Sequence, residues 1–171
     1  MFKIARQQVM LTLIFIFLFM TASCTVKLSP DYDKDLSTSL SSINTEMMVF
    51  FASIDEGTHS TNFGDRKQTY SKIKGKLEAL VIDLKSRPTP SINNMEAINA
   101  ILKANKIPIL PNDMNSPPSV ESVLSVSKTI KQMESTDKSQ GLTSFEIQAF
   151  KNQINIYMSQ AITYENFLKN K

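Results

Sequence analysis

The sequence predicts an all-α protein, an up-and-down bundle of four to five helices, three of them long. Three observations predict it. Along most of the chain, apolar residues recur at alternating spacings of three and four, which places them on one face of a helix. Only four glycines and no tryptophan occur in 171 residues. Helix-breaking prolines gather in one stretch, at 108, 111, 117 and 118, and leave the periodic segments uninterrupted.

The first helix is expected from Ser29-Pro30, a capping residue followed by a proline suited to the first helical position. Its stripe is Tyr32, Leu36, Leu40, Ile43, Met47, Phe50, Phe51 and Ile54, and Gly57 stops it. Asp31, Asp33 and Asp35 fall in its opening turns, where negative charge meets the positive end of the helix dipole. A second long helix repeats every seven residues through Phe63, Tyr70, Leu77 and Leu84, with Ile73 and Leu80 between them, until Ser86-Arg87-Pro88. Ser91 caps a shorter third helix whose Ile92, Met95, Ile98, Ile101 and Leu102 face inward, and Asn105 ends it.

Residues 105–118 cannot form regular helix and read as an extended proline-rich loop. Pro118 opens a fourth helix carrying Val120, Val123, Leu124, Ile130 and Met133, with a pattern that fades near Ser135 and stops by Gly141. Its valines would also suit a strand. Thr143 and Glu146 form a capping box for the last helix, whose core stripe is Ile147, Phe150, Ile154, Tyr157, Ala161, Tyr164 and Leu168.

Charge supports the packing order. From Asp31 to Glu56 there are six acidic side chains and one lysine, and from Gly64 to Arg87 seven basic and three acidic ones. The first two helices are therefore expected to pair as an antiparallel hairpin across a Gly57 to Asn62 turn, with the others closing the bundle.

Few residues point to chemistry. His59 is the single histidine and falls in a turn, so a histidine metal site would need carboxylates alone as further ligands. A Ser-His-acid set would have to recruit the same His59, and no Gly-x-Ser-x-Gly elbow or phosphate-binding glycine loop is present. Met47 or Met48 with His59 could ligate a haem, but methionines on an apolar helical face serve as core. No cofactor and no metal is expected. Asp55-Glu56 and the Asp31 trio are paired acids without a catalytic spacing motif. Lys67, Lys72, Lys74 and Lys76 lie off the apolar face of their helix, as a solvated surface does.

Two apolar features exceed what a core stripe needs. The last helix adds Phe145, Ala149, Ile156 and Phe167 along a second direction, as a helix wedged between two neighbours or one offering a strip to a partner would. The wedge is the expectation, because five helices can supply both neighbours. The proline-rich loop carries Ile107, Ile109, Leu110 and Met114, as either a lid on the bundle or a partner-binding segment.

At the amino end, Lys3 and Arg6 precede an apolar run from Val9 to Met20, and small residues Thr21-Ala22-Ser23 lead to Cys24, the single cysteine. This is the three-part plan of an export signal, and its apolar run is shorter than the roughly 20 residues that span a bilayer. At Ala22, Ser23 and Cys24 the chain resembles the bacterial lipoprotein class, with Thr21 where that class usually has Leu or Val. The resemblance covers the first 24 residues. It implies cleavage before Cys24, acylation of that cysteine and membrane attachment through its acyl chains; Thr25, rather than Asp, as the next residue implies outer-membrane sorting facing the periplasm. An ordinary secretory signal cut after Ser23 is the competing reading. The chain then divides into a signal peptide (1–23), an anchored tether (24–29) and a helical domain (30–171).

Of 19 basic and 16 acidic side chains, Lys3 and Arg6 belong to the leader, so the mature part is near neutral and nucleic acid is not an expected partner. With Cys24 taken up by lipid, the domain has no disulfide and must be stable through packing. Together these features predict a lipid-anchored, non-enzymatic interaction or scaffold module working with a protein partner in the envelope. The alternatives are a carrier of a small apolar or lipid ligand in the bundle interior and a cell-wall hydrolase using two carboxylates.

Overall fold

Apolar side chains at helical spacing leave each helix with a stripe to bury, and the fold is the set of contacts that buries them. The structure, a computed structural model, describes residues 30–88, 92–112 and 114–170. Its helices are α1 (Lys34–Ser53), α2 (Phe63–Lys85), α3 (Ile92–Ala104), α4 (Pro118–Gln140) and α5 (Ser144–Lys169). The described residues contain no strand, so the valines of α4 are helical. Val120, Val123 and Val126 are fully buried, which offsets their weak helix propensity by packing.

Helices α1, α2, α4 and α5 form a ring in which each packs against the next, and α5 closes the ring onto α1. Their directions alternate: the turn after α1 meets the turn after α4, and Arg87, two residues past α2, meets the start of the described chain. The bundle is therefore up-down-up-down. The fifth, short helix α3 packs on the outside of α5 within the long connection from α2 to α4. Four helices are long rather than three, because α4 continues five residues past the point where its apolar pattern fades.

One large core runs through the ring, from Leu36 and Leu84 to Phe51 and Ile147. Tyr70 is enclosed in it, edge-on to Phe50 with ring centroids 4.9 Å apart. Fully burying one such apolar side chain stabilises the fold by about 1.5–3 kcal/mol, which is how a domain without a disulfide holds together. A second, small core lies under α3: Met95, Ile98, Leu102 and Leu110 pack with Tyr164 and Leu168, and Tyr32 lies against them.

The helix boundaries depart from expectation at one end. Ser29 and Ser91 lie outside the described residues, as do the signal segment and Cys24. Helix α1 starts at Lys34 instead of Pro30, because the Asp33 carboxylate accepts hydrogen bonds from the amides of Asp35 and Leu36 and caps the helix there. Helix α3 stops at Asn105 as expected, its last helical residue being Ala104, and it closes in a Schellman turn with Lys106 at φ 58°. The amide of Ile107 bonds to Leu102 and that of Lys106 to Lys103. Ile101 and Leu124 were expected inside and are exposed instead, each at the edge of its helix stripe; the Ile92 side chain lies outside what is described. The capping box at Thr143 and Glu146 is complete.

The predicted charge match between α1 and α2 is present. Glu46 bridges Lys72 at 2.8 Å and Lys76 at 2.5 Å, and these hydrogen bonds hold its carboxyl below the usual range. Lys74 turns the other way, to Glu134 of α4. Much of the lysine face is thus spent on neighbouring helices, as surface pairs worth about 0–1 kcal/mol each.

Candidate functional site

The two ends of the bundle are built differently. At the end where α1 and α4 stop, one carboxylate organises the turns. Asp137, fully buried near the end of α4, accepts from Arg66 Nε (2.8 Å), Arg66 Nη2 (2.8 Å), Thr58 Oγ1 (2.5 Å) and Tyr70 Oη (3.2 Å). Arg66 also donates to the carbonyls of His59 and Asn62, fixing the turn before α2. Thr58 and Leu142 complete the junction: the Thr58 amide donates to the Leu142 carbonyl and the Leu142 amide to Thr58 Oγ1, both at 2.8 Å. Burial pushes the Asp137 carboxyl up, but the hydrogen bonds from Arg66 and Thr58 bring it below its ordinary value. Burial and the neighbouring Asp137 charge push the Tyr70 phenol well above its own.

The cluster is closed on itself. Every lone-pair direction of Asp137 is taken, the carboxylate is screened from solvent, and the surrounding donors hold it ionised. Its chemistry is that of a structural lock joining α1, α2 and α4. His59, near it in sequence, is exposed and contributes only its carbonyl. Among the described residues, no group of three or more His, Cys, Asp or Glu converges as a metal site would require. Met47 is core and His59 is outside it, so the two do not face a shared cavity.

A second buried acid occupies the opposite end. Glu165 of α5 accepts from Arg87 Nη1 at 2.8 and 2.7 Å on its two oxygens, and Arg87 Nη2 donates to the Asp31 carbonyl at 2.6 Å. The pair ties Arg87, two residues past α2, to α5 and to the start of the described chain. Asp137 and Glu165 are separated by nearly the whole of α5, whose 26 residues extend about 39 Å. Carboxylates that hydrolyse glycosides together lie within about 10 Å.

Beside Arg87 and Glu165 the small core carries the proline-rich loop. Leu110 is buried in that core, with Ile107 and Met114 half-buried against it, so the loop does fold back on the bundle. Side-chain amides pin it: Gln160 donates to the Pro108 carbonyl at 2.7 Å, and Asn99 both accepts from the Leu110 amide (2.9 Å) and donates to the Leu110 carbonyl (2.8 Å). Ile109, between the pinned positions, is 62% exposed. Two open clefts flank the loop. One, about 710 Å³, lies between Ile101, Ile107, Ile162 and Phe167; the other, about 500 Å³, between Ile109, Met114, Tyr157 and Ser122. The Ser122 hydroxyl is buried and makes no hydrogen bond.

The second direction of α5 turns out to be largely uncovered. The helix does touch three neighbours, α4, α1 and α3, yet Phe145 is 82% exposed and Ala149 and Ile156 are exposed with it, while Phe167 is half-buried at the small core. Of the seven apolar residues proposed for partner binding, Phe145, Ile109 and Ile156 reach solvent. Leu110 does not, being core, and Ile107, Met114 and Phe167 present only part of their surface.

Asp137, Arg66, Glu165, Gln160 and Asn99 were not singled out from the sequence. A signal for two of them existed: Asp137 continues the core spacing Val126, Ile130, Met133, and Arg66 stands between Phe63 and Tyr70 on the buried face of α2. A charged residue in core phase marks a buried pair.

No protein-family model, no curated protein sequence and no solved structure matches the chain.

Proposed function

We propose that the chain is a lipid-anchored bacterial envelope protein whose helical domain acts as a non-enzymatic interaction module near the outer membrane, facing the periplasm. The observation that carries the reading is the single cysteine, Cys24, at the end of an export-signal pattern and five residues ahead of the helical domain. Two features of the fold support it. The buried carboxylates Asp137 and Glu165 are each held by an arginine at opposite ends, so neither serves as an acid or base in a cleft. The uncovered strip Phe145, Ala149 and Ile156 on α5 supplies an apolar surface for a protein partner.

A photo-crosslinking amino acid at Phe145 or Ile156, introduced into the full chain in intact envelopes, tests the module reading. One discrete protein adduct at these positions, absent when the crosslinker replaces exposed Ile82 on α2, is the expected result. Crosslinking to nothing at either position contradicts it.

A second reading has one specific observation in its favour. The unpartnered Ser122 hydroxyl lies in the 500 Å³ cleft with Ile109, Leu110 and Met114, a polar point in an apolar setting that suits a small amphipathic ligand. A stoichiometric lipid in the purified protein, lost on Ser122→Val substitution, would favour this carrier over the interaction module.

A further inference from the structure

The loop between α3 and α4 is apolar, yet it is fixed so that one of its side chains points away from the protein. Gln160 holds the Pro108 carbonyl and Asn99 holds both backbone groups of Leu110, which leaves the intervening Ile109 turned outward. Leu110 is buried in the small core, with Ile107 and Met114 partly buried against it. Ile107 and Ile109, on either side of Pro108, also border the two open clefts, and exposed Ile101 at the end of α3 extends the apolar surface.

Where the chain enters the domain bears on what covers this surface. Tyr32, two residues past Pro30, packs on the same small core as Leu110 and Ile107. If Cys24 carries acyl chains, the five residues from Thr25 to Ser29 reach at most about 17 Å, less than half the length of α5. The Pro30 end is then kept beside the bilayer. Lysines lie along the end of α3 and at the end of α5, as Lys103, Lys106 and Lys169; of the nearby acids, Glu96 is exposed on α3, Glu121 lines the cleft beside Ile109, and Glu165 is taken up by Arg87. Of the aspartates at this end, Asp31, Asp33 and Asp35 line a separate cleft with Ser86 and Arg87 at the start of α1, and Asp83 lines another with Thr38 and Lys76.

We propose that Ile107, Ile109 and Ile101 form a membrane-contacting surface, settling into the headgroup boundary of the same bilayer that holds Cys24 and so fixing the orientation of the domain. The proposal rests on the lipid-anchored reading. Anchoring by acyl chains alone leaves a domain free to rotate on its tether; an apolar ridge flanked by lysines gives it a preferred face.

The chain has no tryptophan, so a single introduced one reports without background. The test uses full-length acylated protein purified from membranes and placed in phosphatidylethanolamine–phosphatidylglycerol vesicles with brominated acyl chains, which quench fluorescence on contact. Emission from the Ile109→Trp variant is expected to be quenched several-fold more than that from Phe145→Trp at the far end of the bundle. Equal quenching in protein that floats with the vesicles, or stronger quenching of Phe145→Trp, overturns the membrane-contacting surface and leaves the anchor standing. Protein that does not float overturns both.

Discussion

Arg66 and Asp137 stand 71 residues apart in the chain and meet in a bidentate ion pair, with both N–O distances 2.8 Å. Neither is apolar, yet both occupy positions on the buried faces of their helices, and together they join the ends of α1, α2 and α4. Removing one partner strands the other in a largely dry site. Asp137→Leu is expected to destabilise the domain by about 3–5 kcal/mol, and Arg66→Met with Asp137→Leu together by clearly less than the sum of those two single changes. Urea unfolding of the four proteins checks this, and a single-variant loss under about 1 kcal/mol would identify the pair as an ordinary surface bridge.

The same cluster sets the pH limits of stability. The Asp137 carboxyl is lowered in the folded state, so the unfolded chain binds the proton more readily on the acid side. Its contribution is complete above the ordinary carboxylate pKa of about 4 and is lost as pH falls through the lower folded value. Tyr70 has the opposite sense. Its phenol is raised, so above about pH 10 the unfolded chain ionises first and stability falls as pH rises. Melting temperature measured against pH should therefore decline at both extremes, and Asp137→Asn should flatten the acid limb.

Two glycines predict opposite effects of one substitution. Gly141 has φ +82°, and a Cβ there would collide with the Thr58 carbonyl and stand 3.0 Å from His59 Cα. Gly141→Ala should destabilise by about 1–3 kcal/mol. Gly75 lies inside α2 with open space around it, so Gly75→Ala should stabilise by roughly 0.5–1 kcal/mol. Thermal unfolding of both variants decides the signs.

Asn99 makes the loop a fixed part of the fold. Asn99→Ala removes the partner of the Leu110 amide and one donor to its carbonyl. Hydrogen exchange at Leu110 should accelerate strongly while exchange at the core of α2, around Ile73 and Leu77, is unchanged. Unaltered exchange at Leu110 would mean that burial, and not the amide clamp, holds the loop.

How far the sequence could be read depended on how local each cause was. Stripes, the Thr143–Glu146 box and the breaks at Gly57 and Pro118 depend on neighbouring residues, so the helices were legible almost to their ends. The start of α1 was not, because the chain offers two capping residues, Ser29 and Asp33, and it is the Asp33 carboxylate that accepts from the amides of the first turn. Asp137 and Glu165 escaped for a related reason. Their partners are 71 and 78 residues away, and an acid without its arginine in view looks like the end of an apolar pattern, as at Asp137, or a polar gap within one, as at Glu165. The exposure of Phe145 and Ile109 depends on which neighbours happen to pack beside them, information that periodicity does not carry.

The anchor is the premise for membrane attachment and for the orientation of the domain, and acylation of Cys24 is measured directly by growing cells on a labelled fatty acid and taking the intact mass of the purified protein. The expected result is a mature chain beginning at Cys24, carrying label and the mass of its acyl groups, with no label in Cys24→Ser. An unmodified chain beginning at Cys24, or label retained by Cys24→Ser, would contradict it.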